Sequence, residues 1–471
     1  MKWLAFVALA SACAPSTSVT VREVPLPAAY DGVTAGDSIA TLDWSAYFAD
    51  DNLNILVRDA LAGNLDLQAE LQRIEIARAS VQRATGARLP QLSLALGAAL
   101  HKYGRYTMDG AGNAATEITP GRRVPTHLPD LLVGVQASWE ADLWGRLGNL
   151  QGAARTRYLA SIEGTNLVIT NLVADIATAY YQLVALDRMQ EVLTETTARQ
   201  TEALEMMRLE KQAGRTNELA VQQFEAELAG TRALMAATRD QANALENQLN
   251  LLAGRTPRRI ARTQAALDRE VAATVATGVP SDLLRNRPDI RAAELAVAAT
   301  RFDLHAARAA FYPRLTISAN LGYQAFDPRF LLDTPQSIAY GVVAGLVAPL
   351  VNRSGIRAAF AAAKATQVEA MIRYQGVVLR GFVEVATDLF RLQRGAEIVE
   401  QQRRKKAATT TAVAAADALF RAGKATYLDV LVAQQGTLES ELELITALRD
   451  QHVASVHLYK ALGGGWRGAL R

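Results

Sequence analysis

The 471-residue chain is short of most groups that do chemistry. It has a single cysteine, Cys13, which excludes a disulfide framework and a cysteine-rich metal site. Aromatic residues make up only 6% of the chain although half of it is hydrophobic. The apolar content is therefore Ala, Leu and Val, which favours helices packed through small residues over large globular cores. An excess of charge is missing too: the net charge is +3, which gives no support to a nucleic-acid partner. The five histidines, His101, His127, His305, His452 and His457, form no ligand motif. There is no phosphate-binding glycine loop and no nucleophile elbow. No catalytic residue, metal or cofactor is expected, so the protein is not read as an enzyme. Nor does any stretch after the first dozen residues reach the ~18–20 uncharged apolar residues of a transmembrane helix. If the chain spans a membrane, it must do so as a closed β-barrel.

What is present begins with Met1, Lys2 and a short apolar run to Ala12, the pattern of a signal peptide over 1–12. The small-small-Cys ending resembles a bacterial lipobox, which implies lipidation of Cys13. Ala10 stands where the commonest form has Leu, and an ordinary signal peptide with an incidental cysteine is the alternative. Ala14, not Asp, follows the cysteine, which resembles an outer-membrane address. Residues 13–50, rich in Pro, Ser, Thr, Val and Ala up to about 40, read as an extended leader.

Proline and glycine then punctuate the chain. Helical periodicity runs from Asn52 to Ala84. After Pro90 the period changes to two, with Leu92, Leu94, Leu96, Ala98 and Leu100 on one face of a strand. Residues 101–129 carry Gly, Pro and charge and are expected to be a long polar loop. A second strand alternates Leu131, Val133, Val135, Ala137 and Trp139 with Leu132, Gly134, Gln136, Ser138 and Glu140. No proline occurs between Pro129 and Pro257, and a helix from about 148 to 213 would span roughly 100 Å. It turns at Gly214 and returns to Gly254, and residues 255–280 form a connector.

The same order then recurs. Pro288 opens a helix, Pro313 precedes a strand through Leu315, Ile317, Ala319, Leu321 and Tyr323, and a fourth strand carries Ile338, Tyr340, Val342, Ala344 and Leu346. A proline-free tract after Pro349 turns at Gly423 and closes at Gly463. Pro90 and Pro313 lie 223 apart, as do Asp66 and Asp289; Gly214 and Gly423 lie 209 apart, as do Gly254 and Gly463. These offsets identify an internal duplication, with repeats at 51–254 and 281–463 and a tail at 464–471.

Four strands cannot close a membrane barrel, since single-chain barrels begin at about eight. Copies of the chain must share one under cyclic symmetry. The fold class expected is an α+β membrane protein: a shared transmembrane β-barrel, four strands per chain, continuing into a long α-helical barrel; a dimer would supply eight strands and a trimer twelve, and about twelve begin to leave a usable passage. One strand face carries Gly, Ser, Thr, Gln and Asn, which suit a wet lumen; the other suits lipid.

Specific motifs carry a family resemblance. The stretch Trp139-Glu140-Ala141-Asp142-Leu143-Trp144-Gly145-Arg146-Leu147 resembles the strand-to-helix motif of TolC/OprM-type outer-membrane efflux proteins, in particular the NodT lipoprotein branch. Leu283 to Glu294, Tyr427-Leu428-Asp429-Val430-Leu431 and Ala461-Leu462-Gly463-Gly464-Gly465-Trp466 resemble further landmarks of that family, in order. The resemblance implies a homotrimeric passive duct in the outer membrane with a large periplasmic part. Its implied partners are outer-membrane lipid, a periplasmic adaptor (membrane fusion protein) and an inner-membrane RND pump. Export of small toxic compounds is the expected task; a duct for type I protein secretion, or a trimeric coiled-coil surface protein, are the alternatives. The hairpin tips, Gly214 with Arg215 and Gly423 with Lys424, are implied to close the periplasmic end and meet the adaptor. Asp429 matches an aspartate of the family's constriction. Where the family often has a second aspartate, this chain has Val432, so a closure partly apolar through Leu428 and Val432 is expected. A first-turn acid that stabilises its own helix is the other reading of Asp429.

Overall fold

The computed structural model describes residues 15–22, 25, 27, 29, 30, 38–272, 276–349, 351 and 353–468. The expected lipidation site, Cys13, and the signal segment lie outside the described residues. The principal elements are α1 (Asp51–Gly63), α2 (Leu65–Gly86), β1 (Gln91–His101), β2 (Leu128–Ala141), α3 (Arg146–Gln212) and α4 (Glu218–Leu252), followed by α5 (Pro288–Ala309), β3 (Arg314–Ala325), β4 (Ile338–Val347), α6 (Ser354–Arg421) and α7 (Tyr427–Ala461).

Corresponding helices in the two halves have nearly the same length. α2 and α5 each have 22 residues, α3 and α6 have 67 and 68, and α4 and α7 each have 35. Both long helices are free of proline, which would remove a backbone donor and clash with the preceding turn. One 18-residue window of α3 reaches a mean hydropathy of 1.3, which by length and composition alone would suffice to cross a membrane. That window is 67% buried within the protein, so it faces protein rather than lipid. Along α3, Ile169, Ile176, Leu183 and Leu193 are fully buried, each worth about 1.5–3 kcal/mol relative to exposure.

The four long strands form one antiparallel sheet in the order β1-β2-β3-β4. The register aligns Leu94, Val135, Leu321 and Tyr340 across the sheet, and Ser93, Gln136, Asn320 and Gly341 in the neighbouring row. One face is therefore apolar across all four strands, while the other carries Ser, Thr, Gln, Asn, Gly and Ala with a few larger apolar residues. Because strand side chains alternate, a slip of one residue would exchange the faces. At one register level the second face carries only Ala95, Gly134, Gly322 and Ala339. A Cβ on Gly134 would lie 2.7 Å from the Gly322 Cα, and one on Gly322 would lie 2.5 Å from the Gly134 Cα. The absence of side chains lets β2 and β3 approach there, as at a sheet bend.

Two expectations are revised. Residues 101–129 contain a helix, Met108–Ala115, and a small hairpin pairing Glu117–Thr119 with Arg122–Arg123. Thr107 caps that helix by accepting from Gly110 N–H at 3.1 Å, and Gly121 turns the hairpin at φ +77°. The leader is also not extended to its end: a 3-10 turn at Ile39–Thr41 and a helix at Trp44–Phe48 place Ala40, Trp44 and Phe48 in the core.

The chain divides into two compact units that cut across the repeats. One comprises Ile76–Tyr158 and Leu295–Met371, with the described residues before Arg22. It holds the sheet and a small core of Leu304, Phe311 and Phe360. The other comprises Arg22–Glu75, Leu159–Glu294 and Ile372–Arg471. Its largest core runs along α3 from Ile169 to Leu186 and takes in Leu53, Leu249, Leu267 and Tyr459. The 255–280 segment belongs to this packing: Ile260 and Leu267 are buried, and Arg262 pairs with both Asp187 and Glu246.

Candidate functional site

Both helical hairpins end in the same backbone turn. After α3, Gly214 takes φ +70°, with Gly214 N–H donating to Lys211 O at 3.0 Å and Arg215 N–H to Glu210 O at 2.9 Å. After α6, Gly423 takes φ +65°, with Gly423 N–H donating to Phe420 O at 2.9 Å and Lys424 N–H to Leu419 O at 2.8 Å. This paired bonding stops a helix and satisfies its last carbonyls, and it favours glycine at the left-handed position. The next helix is capped in each case by a side chain, Asn217 accepting from Ala220 N–H at 3.1 Å and Thr426 accepting from Asp429 N–H at 3.4 Å.

The side chains around the two turns differ. At the first, Lys211 pairs with Glu218, Arg215 with Glu210 at 3.6 Å, and Arg208 with Glu225 at 3.4 Å. The Lys211 hydrogen bond, with one from Gln222, holds the Glu218 carboxyl below its usual range. At the second, Arg421 and Lys424 have no ion-pair partner among the described residues. Asp429 closes a capping box there: its Oδ2 accepts from Thr426 N–H and from the Thr426 hydroxyl, both at 2.7 Å. These bonds hold its carboxyl below the usual carboxylate range. The Thr-x-x-Asp signal for this box stands in the sequence at 426–429.

Packing sets the direction in which the second tip presents its residues. Leu431 is buried against Leu204, Met207, Val221, Phe224 and Leu228 of the first hairpin, and Val430 is buried as well. Gln435 bonds Glu227 at 2.5 Å along the same seam. The opposite side of α7 carries Leu428, 47% exposed, Asp429, and Val432, 57% exposed. These three therefore share one uncovered face, with an anionic carboxylate beside two apolar side chains one turn apart.

The strand-to-helix passage is a third constellation. Trp139 Nε1–H donates to Arg88 O at 2.9 Å, and Trp144 Nε1–H to Pro313 O at 2.7 Å. The Trp144 ring also stacks on Tyr312 at 4.7 Å. Gly145 takes φ +72°. Asp142 then caps α3, accepting from Leu147 N–H at 2.9 Å and Gly148 N–H at 2.6 Å. The Arg146 guanidinium grips Glu140 with bonds of 2.8–3.0 Å. The two tryptophans thus bind the backbone just before β1 and β3 to the end of β2. Reading the sequence identified these residues but not the Asp142 cap or the Gly134–Gly322 contact.

No group of His, Cys, Asp and Glu among the described residues could hold a metal. His452 is buried, stacked on Tyr181 at 4.6 Å, and burial lowers its pKa. Its surroundings are those of a core side chain.

Comparison with known proteins bears on these features. The profile of the family described as "Outer membrane efflux protein" matches residues 56–255 and 279–464. The chain is 31% identical over 465 residues to the pyoverdine export outer membrane protein OpmQ of Pseudomonas putida, covering 97% of this chain and 95% of that one. It is 26% identical to the cation efflux system protein CusC of Escherichia coli O6:H1, covering 92% and 91%. A solved membrane protein from Pseudomonas aeruginosa superposes with a TM-score of 0.86 at 27% identity, covering 96% of this chain and 99% of that one.

Proposed function

The chain belongs to the outer membrane efflux protein family and is an outer-membrane efflux channel component, and on that premise we propose that it works as a homotrimeric passive duct. The observation that carries the assembly is the sheet. Its register keeps one face apolar over four strands, yet β1 and β4 are edges without a further partner among the described residues. Unpaired strand edges are not tolerated in a bilayer. Pairing β1 of one copy with β4 of the next closes the sheet, and three copies supply about twelve strands, enough for a water-filled passage.

The polar row of Ser93, Gln136 and Asn320 then lines the lumen, and the leucines of β1 face lipid. The two glycine tips are where a periplasmic adaptor docks, and an inner-membrane RND pump delivers the cargo. Leu428, Asp429 and Val432, on their uncovered face, form the constriction: a carboxylate ring that prefers cations, tightened by apolar contact. Cys13, lipidated, ties the N-terminus to the membrane. The cargo is a small toxic compound; the named relatives range from pyoverdine export to cation efflux, so the pump rather than the duct selects it.

Single-channel recording in planar bilayers tests the reading. Purified full-length protein should give conducting steps with a cation preference that Asp429→Ala weakens. Absence of conductance, or a monomer by native mass spectrometry, would overturn it. Unchanged cation preference in Asp429→Ala would remove that residue from the gate alone.

A further inference from the structure

The segment that follows β1 stands apart from the rest of the surface. It reads His101-Lys102-Tyr103-Gly104-Arg105-Tyr106-Thr107-Met108. Tyr106 is fully exposed and Met108 is 92% exposed. Lys102 and Arg105 are exposed and have no ion-pair partner among the described residues. The neighbouring Arg122, by contrast, is held by Asp327 at 2.8 Å and lies over Phe330.

These side chains are presented by an ordered turn. Thr107 donates to Gly104 O through both its N–H, at 3.0 Å, and its hydroxyl, at 2.8 Å, while capping the Met108–Ala115 helix. Gly110 fits against the Gly104 carbonyl, where a Cβ would lie 2.0 Å from the oxygen. His101 stacks on Tyr103 with ring centroids 6.1 Å apart. An ordered backbone thus carries two cations, two tyrosines and a methionine at the end of β1. They continue the strand edge that carries the exposed Leu94, Leu96 and Leu100.

We propose that residues 102–108 seat in the headgroup layer of the bilayer, with Lys102 and Arg105 binding anionic phosphate headgroups and Tyr106 and Met108 dipping among the acyl chains. The inference rests on the barrel reading above and adds the chemistry of the lipid that the barrel prefers. Amphipathic rings settle at the membrane interface, and long cationic side chains reach from it to phosphates. Each cation contributes roughly a five-fold preference for an anionic surface.

The test uses full-length protein carrying Cys13→Ser and Met108→Cys, labelled with a polarity-sensitive fluorophore. It is reconstituted in phosphatidylcholine vesicles, with or without phosphatidylglycerol. A blue-shifted emission with phosphatidylglycerol, weaker in phosphatidylcholine alone and reversed by Lys102→Gln with Arg105→Gln, is expected. Water-like emission in both vesicles would overturn the proposal. So would an equal blue shift in both, which denotes insertion without headgroup recognition. Conductance of the same labelled protein reports on the duct separately, so the two readings fail independently.

Discussion

The two halves of the chain have nearly the same backbone and different chemistry. Helices α3 and α6 differ by one residue in length and end in identical glycine turns. Yet the first tip is cross-linked by ion pairs between its helices, and the second is closed by a capping box with its cations unpaired. The strand-to-helix passages diverge likewise. The first uses Asp142, Gly145 and the Glu140–Arg146 pair. In the second, Arg353 donates to Phe311 O at 3.0 Å and lies over the Phe311 ring. The carbonyls engaged, Arg88 and Phe311, are separated by the repeat offset of 223. A duplicated backbone therefore presents the same needs in both halves, and different side chains meet them. Among the described residues, only the second tip leaves its cations, Arg421 and Lys424, without an ion-pair partner.

The largest expected effect falls at the seam between the halves, where β2 pairs with β3. Gly134→Val and Gly322→Val should each separate β2 from β3, since either Cβ would strike the opposing Cα. Overpacking of this kind costs about 1–3 kcal/mol or more, and heat-resistant oligomer on gels should be lost in both variants. Gly97→Ala, whose Cβ meets only the Leu132 Cβ at 3.6 Å, is the control that should retain it. Loss in one glycine variant alone would show that only one of the two strands limits their approach.

The passages should respond unequally. Glu140→Gln removes a paired, partly buried carboxylate and should cost about 1–2 kcal/mol in thermal unfolding. Thr426→Ala and Asn217→Ala remove equivalent caps and should each cost about 1 kcal/mol, read as faster hydrogen exchange in the first turns of α7 and α4. A difference of several-fold between the two would show that the caps are not equivalent.

Smallest are the effects of salt and pH at the tips. Added salt should speed exchange around 205–225, because surface ion pairs are screened, and leave 418–432 nearly unchanged. Acid should loosen both. Asp429 and Glu218 have folded-state pKa values below their ordinary ones, so their stabilisation is full above the unfolded value and is lost as pH falls through the folded one. The window therefore lies below about pH 4, the unfolded carboxylate range. Acid-insensitive exchange at 426–432 would show that the Thr426–Asp429 box does not hold the second tip.

Much of this architecture is legible in the residues. Pro90, Pro313, Gly214 and Gly423 mark the element ends because each imposes a backbone geometry of its own. The period-two runs reveal both faces of the sheet before any pairing is known. Other features were less accessible. The Met108–Ala115 helix is only 8 residues long and contains Gly110 and Gly112, too short and too weak a pattern to separate from a loop. The Gly134–Gly322 contact joins residues 188 apart, and neither glycine differs locally from others in a strand. The compact units mix segments of both repeats, which no local periodicity encodes.

The sequence by itself determined the duplication, the long proline-free helices, the four amphipathic strands and the glycine turns. These follow from local preferences: proline's missing donor, glycine's freedom at positive φ, and the 3.6- and 2-residue periods. Tertiary structure alone decided which way the tip residues point. Leu428, Asp429, Leu431 and Val432 lie within five residues, and only the packing of Leu431 against Phe224 and its neighbours turns the other three outward. Helical phase against a partner surface is a long-range property, set by which face has apolar area to bury.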